Sequence, residues 1–189
     1  MSGDADTPTQ VGIGGSIGWS LSGAIGGAIG ALAFGLLMWL ADPAVIETTL
    51  PAAYGLEAGG VTGWAIQLVH GAFLGLIFGF LVTRKPVLGV IRADVATDAL
   101  ARTNEGARVV AAGFVYGLAI WAVLPLLVVP AATGVLGTDP GAFPAVAPES
   151  LLGHVLFGTI LGGVFAALVD LQAREETDVF DEDQPAERA

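Results

Sequence analysis

Four long apolar stretches decide most of what this chain can fold into. Ile17 to Leu40, Trp64 to Val82, Val109 to Val129 and Leu151 to Val169 each approach or exceed the roughly twenty residues that a helix needs to cross a bilayer. None contains Asp, Glu, Lys or Arg. They are apolar all round the helix, so they are not amphipathic surface helices. In hydrocarbon every backbone N–H and C=O must be satisfied inside the segment, and an α-helix does this. The expected fold is therefore an all-α membrane protein with four transmembrane helices. Composition agrees: 13% of residues are charged, against about a quarter in soluble domains, and the mean hydropathy is +0.75. Four spans and their connections use most of the 189 residues, leaving no room among them for a separate catalytic domain.

The basic residues orient the spans. Arg84, Lys85, Arg92, Arg102 and Arg108 all fall between the second and third stretches, and the other two connections contain no Lys or Arg. Under the positive-inside rule the middle connection is cytoplasmic, and with it both termini of a multi-pass protein of the cell membrane. Arg174, just past the last span, agrees. The first fifteen residues hold no Lys or Arg, and the apolar stretch after them is too long for a signal-peptide core, so it reads as a retained span. The expected divisions are a disordered segment 1–16, a first helix pair 17–82, the basic connection 83–108, a second helix pair 109–169 and a tail 170–189. In the connection, Val87, Ile91, Val95 and Ala99 recur every four residues, as in a short interfacial helix; a plain solvated loop is the alternative.

The net charge of −11 is unevenly spread. Asp170, Glu175, Glu176, Asp178, Asp181, Glu182, Asp183 and Glu187 crowd the tail, which has too little apolar area to fold and is expected to stay solvated. Lys85 is the only lysine, and the excess of Asp and Glu is of the kind found in proteins of salt-loving archaea. With no cysteine there is no disulfide and no thiolate ligand or nucleophile.

The stretches also form an internal repeat. Phe34-Gly35-Leu36-Leu37-Met38-Trp39 precedes Pro43, and Tyr116-Gly117-Leu118-Ala119-Ile120-Trp121 precedes Pro125 at the same spacing. Leu50-Pro51-Ala52-Ala53 matches Val129-Pro130-Ala131-Ala132, and Leu68-Val69-His70 resembles Leu152-Gly153-His154, with Phe73 and Phe157 three residues on. The last block has a second alignment, one residue away, that sets Gly71, Gly75 and Gly79 against His154, Gly158 and Gly162. Two spans per copy give both copies the same orientation, which predicts a pseudo-two-fold axis along the membrane normal. Inverted repeats, common in transporters, need an odd number of spans per copy.

Glycines mark the packing faces. Gly23 and Gly27, Gly71, Gly75 and Gly79, Gly113 and Gly117, and Gly158 and Gly162 are spaced by four, so each set lines one helix face and lets a neighbouring backbone approach. Lining a permeation path is their functional alternative. Asp42 before Pro43 has the form of a helix N-cap, which predicts a short outer helix over Ala44 to Leu50. Trp39, Trp121 and Trp64 sit where interface anchors belong.

Chemistry has few carriers. His70 and His154 fall at matched positions toward the outer ends of their spans, and an intramembrane ionisable residue is a functional candidate by default. Two such imidazoles could hold a haem or a metal ion between them; neutral histidines bonded to the outer segments or to backbone carbonyls are the plainer reading, with no cofactor expected. Gly-Lys-Ser/Thr, His-Glu-x-x-His and Gly-x-Ser-x-Gly are absent, as is any basic patch for nucleic acid.

Leu50-Pro51-Ala52-Ala53-Tyr54-Gly55-Leu56-Glu57, running on to Val69-His70-Gly71, resembles a set of small four-helix membrane proteins of halophilic archaea with no established activity. Such chains are sometimes labelled histidine kinases. A kinase needs a cytoplasmic phosphoacceptor histidine and an ATP-binding domain, and these residues supply neither. The expectation is a non-enzymatic structural, sensory or accessory subunit whose partners are lipid and either further copies of itself or another membrane subunit. The alternatives are a small transporter or channel for a small solute, and a redox protein using His70 and His154.

Overall fold

The computed structural model describes residues 18–92, 105–123 and 148–169. Four of its helices are long and apolar enough to cross a membrane: α1 (Gly18–Ala41), α3 (Gly60–Val82), α5 (Glu105–Val123) and α6 (Pro148–Leu168). This is the architecture of a multi-pass membrane protein. Between α1 and α3 a π-helical turn (Val45–Thr49) runs into a short α-helical segment (Leu50–Ala52), together α2; α4 (Lys85–Arg92) follows α3. The segment before Gly18, residues 93–104, Pro125, Pro130 and the rest of the second outer connection, and the acidic tail lie outside the described residues.

The first and last spans start and stop within three residues of the hydropathy reading. Residues 124–129, which the reading gave to the third, lie outside the described residues. The second and third each begin four residues early, at Gly60 and Glu105, so that the third takes in Arg108. A guanidinium is tolerated there because it sits at the helix end and finds an acceptor: Nη1 donates to the Ile91 carbonyl of α4 at 2.8 Å.

Residue size, not polarity, sorts the faces of α1. Leu21, Ile25, Ile29, Leu32, Leu36 and Leu40 are exposed, while Gly23, Gly26, Gly27 and Gly30 are buried. In lipid a leucine gains little by turning inward, whereas a glycine lets another backbone come close and gain dispersion contact. α1 uses two such faces. Gly23 and Gly27 lie on Gly75 and Gly71 of α3, and Gly26 and Gly30 lie on Leu161 and Phe157 of α6. A second glycine seam joins α5 to α6 through Gly113, Gly117, Gly158 and Gly162. The helices thus run α3–α1–α6–α5 in order of contact.

α3 and α5 meet over a much shorter stretch. Here large rings fill the space: Phe78 packs on Phe165 of α6 with ring centroids 5.4 Å apart and on Tyr116 of α5 at 5.3 Å. The Tyr116 hydroxyl donates to the Leu74 carbonyl at 2.8 Å, tying α5 to α3. Phe78, Phe157, Leu161, Phe165, Val109 and Ile91 form the core toward the end of the bundle that carries Arg84 and Lys85, the basic end.

The opposite end carries α2. The chain leaves α1 at Asp42, because the residue before a proline is disfavoured in the helical region. Asp42 Oδ1 accepts from the Ala44 N–H at 2.9 Å, so the expected cap forms and the short helix begins. Pro51 has no N–H to return to the carbonyls one turn back. The Glu47 carbonyl accepts instead from Gly59 N at 2.8 Å, and the Ile46 carbonyl rests on Gly63. The π turn is closed by Leu50 N bonding to the Val45 carbonyl. Gly55, at φ 66°, ends α2, a conformation that side-chain-bearing residues rarely adopt.

Candidate functional site

Four polar side chains of the spans, Gln67, His70, Ser150 and His154, lie at the end of the bundle that carries α2. On α3, Gly63, Gln67, Gly71, Gly75 and Gly79 recur every four residues, so Gln67 falls within the glycine stripe facing α1. It is buried, and Nε2 donates to the Ala31 carbonyl at 3.2 Å, a hydrogen bond from one span to the backbone of another. The sequence reading passed over Gln67, although its place in the glycine stripe was the signal. Beside it lies a cavity of about 20 Å³, lined by Phe34, Met38, Ile46, Leu50, Gln67 and Ser150. That is room for about one water molecule.

The two histidines have separate surroundings. His154 is buried on α6, its Nδ1 2.7 Å from the Ser150 carbonyl one turn back, and it meets the Phe34 ring of α1 edge-on with centroids 4.8 Å apart. An Nδ1–H donating to that carbonyl leaves Nε2 as the ring's acceptor. His70 is half-buried on α3, and its Nε2 is hydrogen-bonded to the hydroxyl of Tyr54 in the turn after α2. The tyrosine ring lies tilted against the imidazole at 5.5 Å. Partial burial raises the Tyr54 phenol above its ordinary value, so it keeps its proton and can donate it to Nε2. His70 therefore fastens α2 to α3, while His154 bonds through Nδ1 within its own helix. Among the described residues, neither belongs to a cluster of three or more His, Cys, Asp or Glu side chains.

The tryptophans also divide. Trp39 Nε1 donates to Glu47 Oε1 at 2.9 Å, a second fastening of α2, this time to α1. Trp64 lies over Gly35. Trp121 is half-buried, and its Nε1 has no hydrogen-bond partner among the described residues. The structure thus brings Trp39, Gln67, His70 and Tyr54 together around α2, with His154 and Ser150 beneath, and leaves the matched positions Trp121, Pro125 and Pro130 without a described counterpart of α2.

No family model, curated protein or solved structure matches this chain.

Proposed function

We propose that the chain is a non-catalytic membrane protein, a structural, sensory or accessory subunit, built as two helix pairs related by an axis along the membrane normal. The glycine seams carry this reading. In the first pair Gly23 lies against the Gly75 carbonyl and Gly27 against that of Gly71; in the second, Gly113 lies against the Gly158 carbonyl and Gly117 against that of His154. A methyl group added at Gly27 would stand 2.9 Å from the Gly71 carbonyl carbon, and one at Gly113 would stand 2.9 Å from Gly162 Cα. Helices in backbone contact leave no path for a solute between them, which favours a packing role for the stripes over a permeation role.

The contacts favour one of the two sequence alignments of the repeat. They set Gly71, Gly75 and Gly79 opposite His154, Gly158 and Gly162 in role. His70 and His154 are then one position out of step, about 100° apart around their helices. This weighs against a shared ligand between them, as does the Tyr54 bond that His70 would have to release. On the first helix of each pair, contacts match Gly27 with Gly117, whereas the Phe-Gly-Leu and Tyr-Gly-Leu blocks match Gly35 with Gly117. Gly27 and Gly35 are about two turns apart on one face, so the two pairs differ by a slide along a shared seam.

Purification of the full chain in mild detergent at high salt tests the reading. The expected result is a colourless, metal-free protein whose native mass is a multiple of 19.1 kDa and whose proteoliposomes pass solutes no faster than empty vesicles. A haem or metal signal lost in both His70→Ala and His154→Ala would replace it with the redox reading, and specific flux would replace it with transport. Both termini are assigned to the cytoplasm on the strength of the basic end. Because the chain has no cysteine of its own, Glu57→Cys should react with an impermeant thiol reagent from outside intact cells and Lys85→Cys should not.

A further inference from the structure

The turn from α3 to α4 presents cations beside an apolar, outward-facing surface. α3 ends at Val82, and Thr83 closes it, its hydroxyl donating to the Gly79 carbonyl at 2.8 Å. Arg84 then folds back over the last turn, with its guanidinium carbon 3.5 Å from the Phe80 ring centroid. Phe80 leans in turn on Trp19 of α1, centroids 6.3 Å apart. A guanidinium held over an aromatic face keeps its N–H donors at the ring's rim, where they can still reach an acceptor. Arg84 and Lys85 are exposed, and so are Phe80, Leu81 and Val87 around them.

α4 is anchored so that this arrangement persists. Ile91 is buried in the core, and Arg108 holds the Ile91 carbonyl. Over α4, its preceding turn and the first turn of α5 the sequence has four basic residues (Arg84, Lys85, Arg92, Arg108) and one acidic residue, Glu105, and the side chains of Arg84, Lys85 and Arg108 are described. An excess of positive charge set at the rim of a lipid-facing apolar surface complements one kind of partner, a phosphate headgroup whose acyl chains continue down the helix.

We infer that Arg84 and Lys85 form a binding site for an acidic phospholipid, with the headgroup phosphate on the Arg84 guanidinium and the acyl chains along Phe80, Leu81 and Val87. Phe80 serves both the cation and the lipid tail. The site stands on the four membrane helices alone and holds for either orientation of the chain and any role it has.

Native mass spectrometry of the full chain in detergent, titrated with phosphatidylglycerol or with phosphatidylcholine of the same acyl chains, tests it. Wild type should retain the acidic lipid in preference. Arg84→Gln should weaken retention about five-fold, and Arg84→Gln with Lys85→Gln about twenty-five-fold, following the worth of a basic residue at a membrane surface. Arg84→Lys keeps the charge but not the planar fork and should fall between. Thermal unfolding followed by circular dichroism checks each variant's fold; should the glutamine variants not fold, wild type and Arg84→Lys decide. Equal retention of the two lipids by wild type, or unchanged preference in a folded double variant, overturns the inference.

Discussion

The two helix pairs share a backbone seam but differ in how their polar groups are spent. In α1–α3, side chains bridge elements: Gln67 to the Ala31 carbonyl, Trp39 to Glu47, and Tyr54 to His70. In α5–α6 the described polar side chains mostly turn back on their own helix, His154 to the Ser150 carbonyl and Thr159 to the Val155 carbonyl at 2.7 Å. Tyr116 and Arg108 are exceptions, reaching out of their pair to α3 and α4 respectively. The seam therefore suffices to join two helices in lipid. The additional bridges in the first pair fix something else, the position of α2 over the bundle end.

The largest effect that could break this comparison is overpacking of a seam. Gly27→Val and Gly113→Val should each destabilise by about 3 kcal/mol, because the obstructing atoms are backbone and cannot move aside. Unfolding in detergent by added sodium dodecyl sulfate, followed by circular dichroism, would measure both. Clearly unequal losses would mean that the two seams are not equivalent.

Loss of an interhelical bridge should matter less. Gln67→Leu removes the bond to Ala31 and should cost about 1 kcal/mol, whereas Thr159→Val, which removes a bond within one helix, should cost less than about 0.5 kcal/mol. The same titration orders the two, and the comparison fails if Thr159→Val is the more damaging.

Smaller still is the fastening of α2. Tyr54→Phe should lower global stability by no more than about 0.5–1 kcal/mol while loosening the cap. Hydrogen exchange resolved by peptide should quicken around residues 43–56 and stay unchanged in α5. His70→Phe should reproduce this pattern. His154→Phe should not, and finding that it did would erase the distinction drawn between the two histidines.

The four helices were legible because bilayer thickness sets span length and backbone hydrogen bonding sets helix, so hydropathy alone locates them. The packing faces were legible because a four-residue spacing of glycine can mean only one face. The cap over α2 was readable from Asp42 and Pro43, since both act locally. α4 forms over the first part of the amphipathic pattern, Val87 and Ile91 included, and the rest of that pattern lies outside the described residues.

What the sequence by itself determined, then, is the number of membrane helices and which small residues face inward, because both follow from short-range spacing and from the solvent. Tertiary structure alone decided which helix each face meets: that α1 touches α3 with one pair of glycines and α6 with another, while α3 and α5 meet through rings. It also decided the difference between His70 and His154. Their sequence contexts are alike, but one position of rotation turns one imidazole toward Tyr54 of the cap and the other under Phe34. The glycine spacing offers this offset as one of two alignments, and only the register at which two backbones close on each other chooses between them.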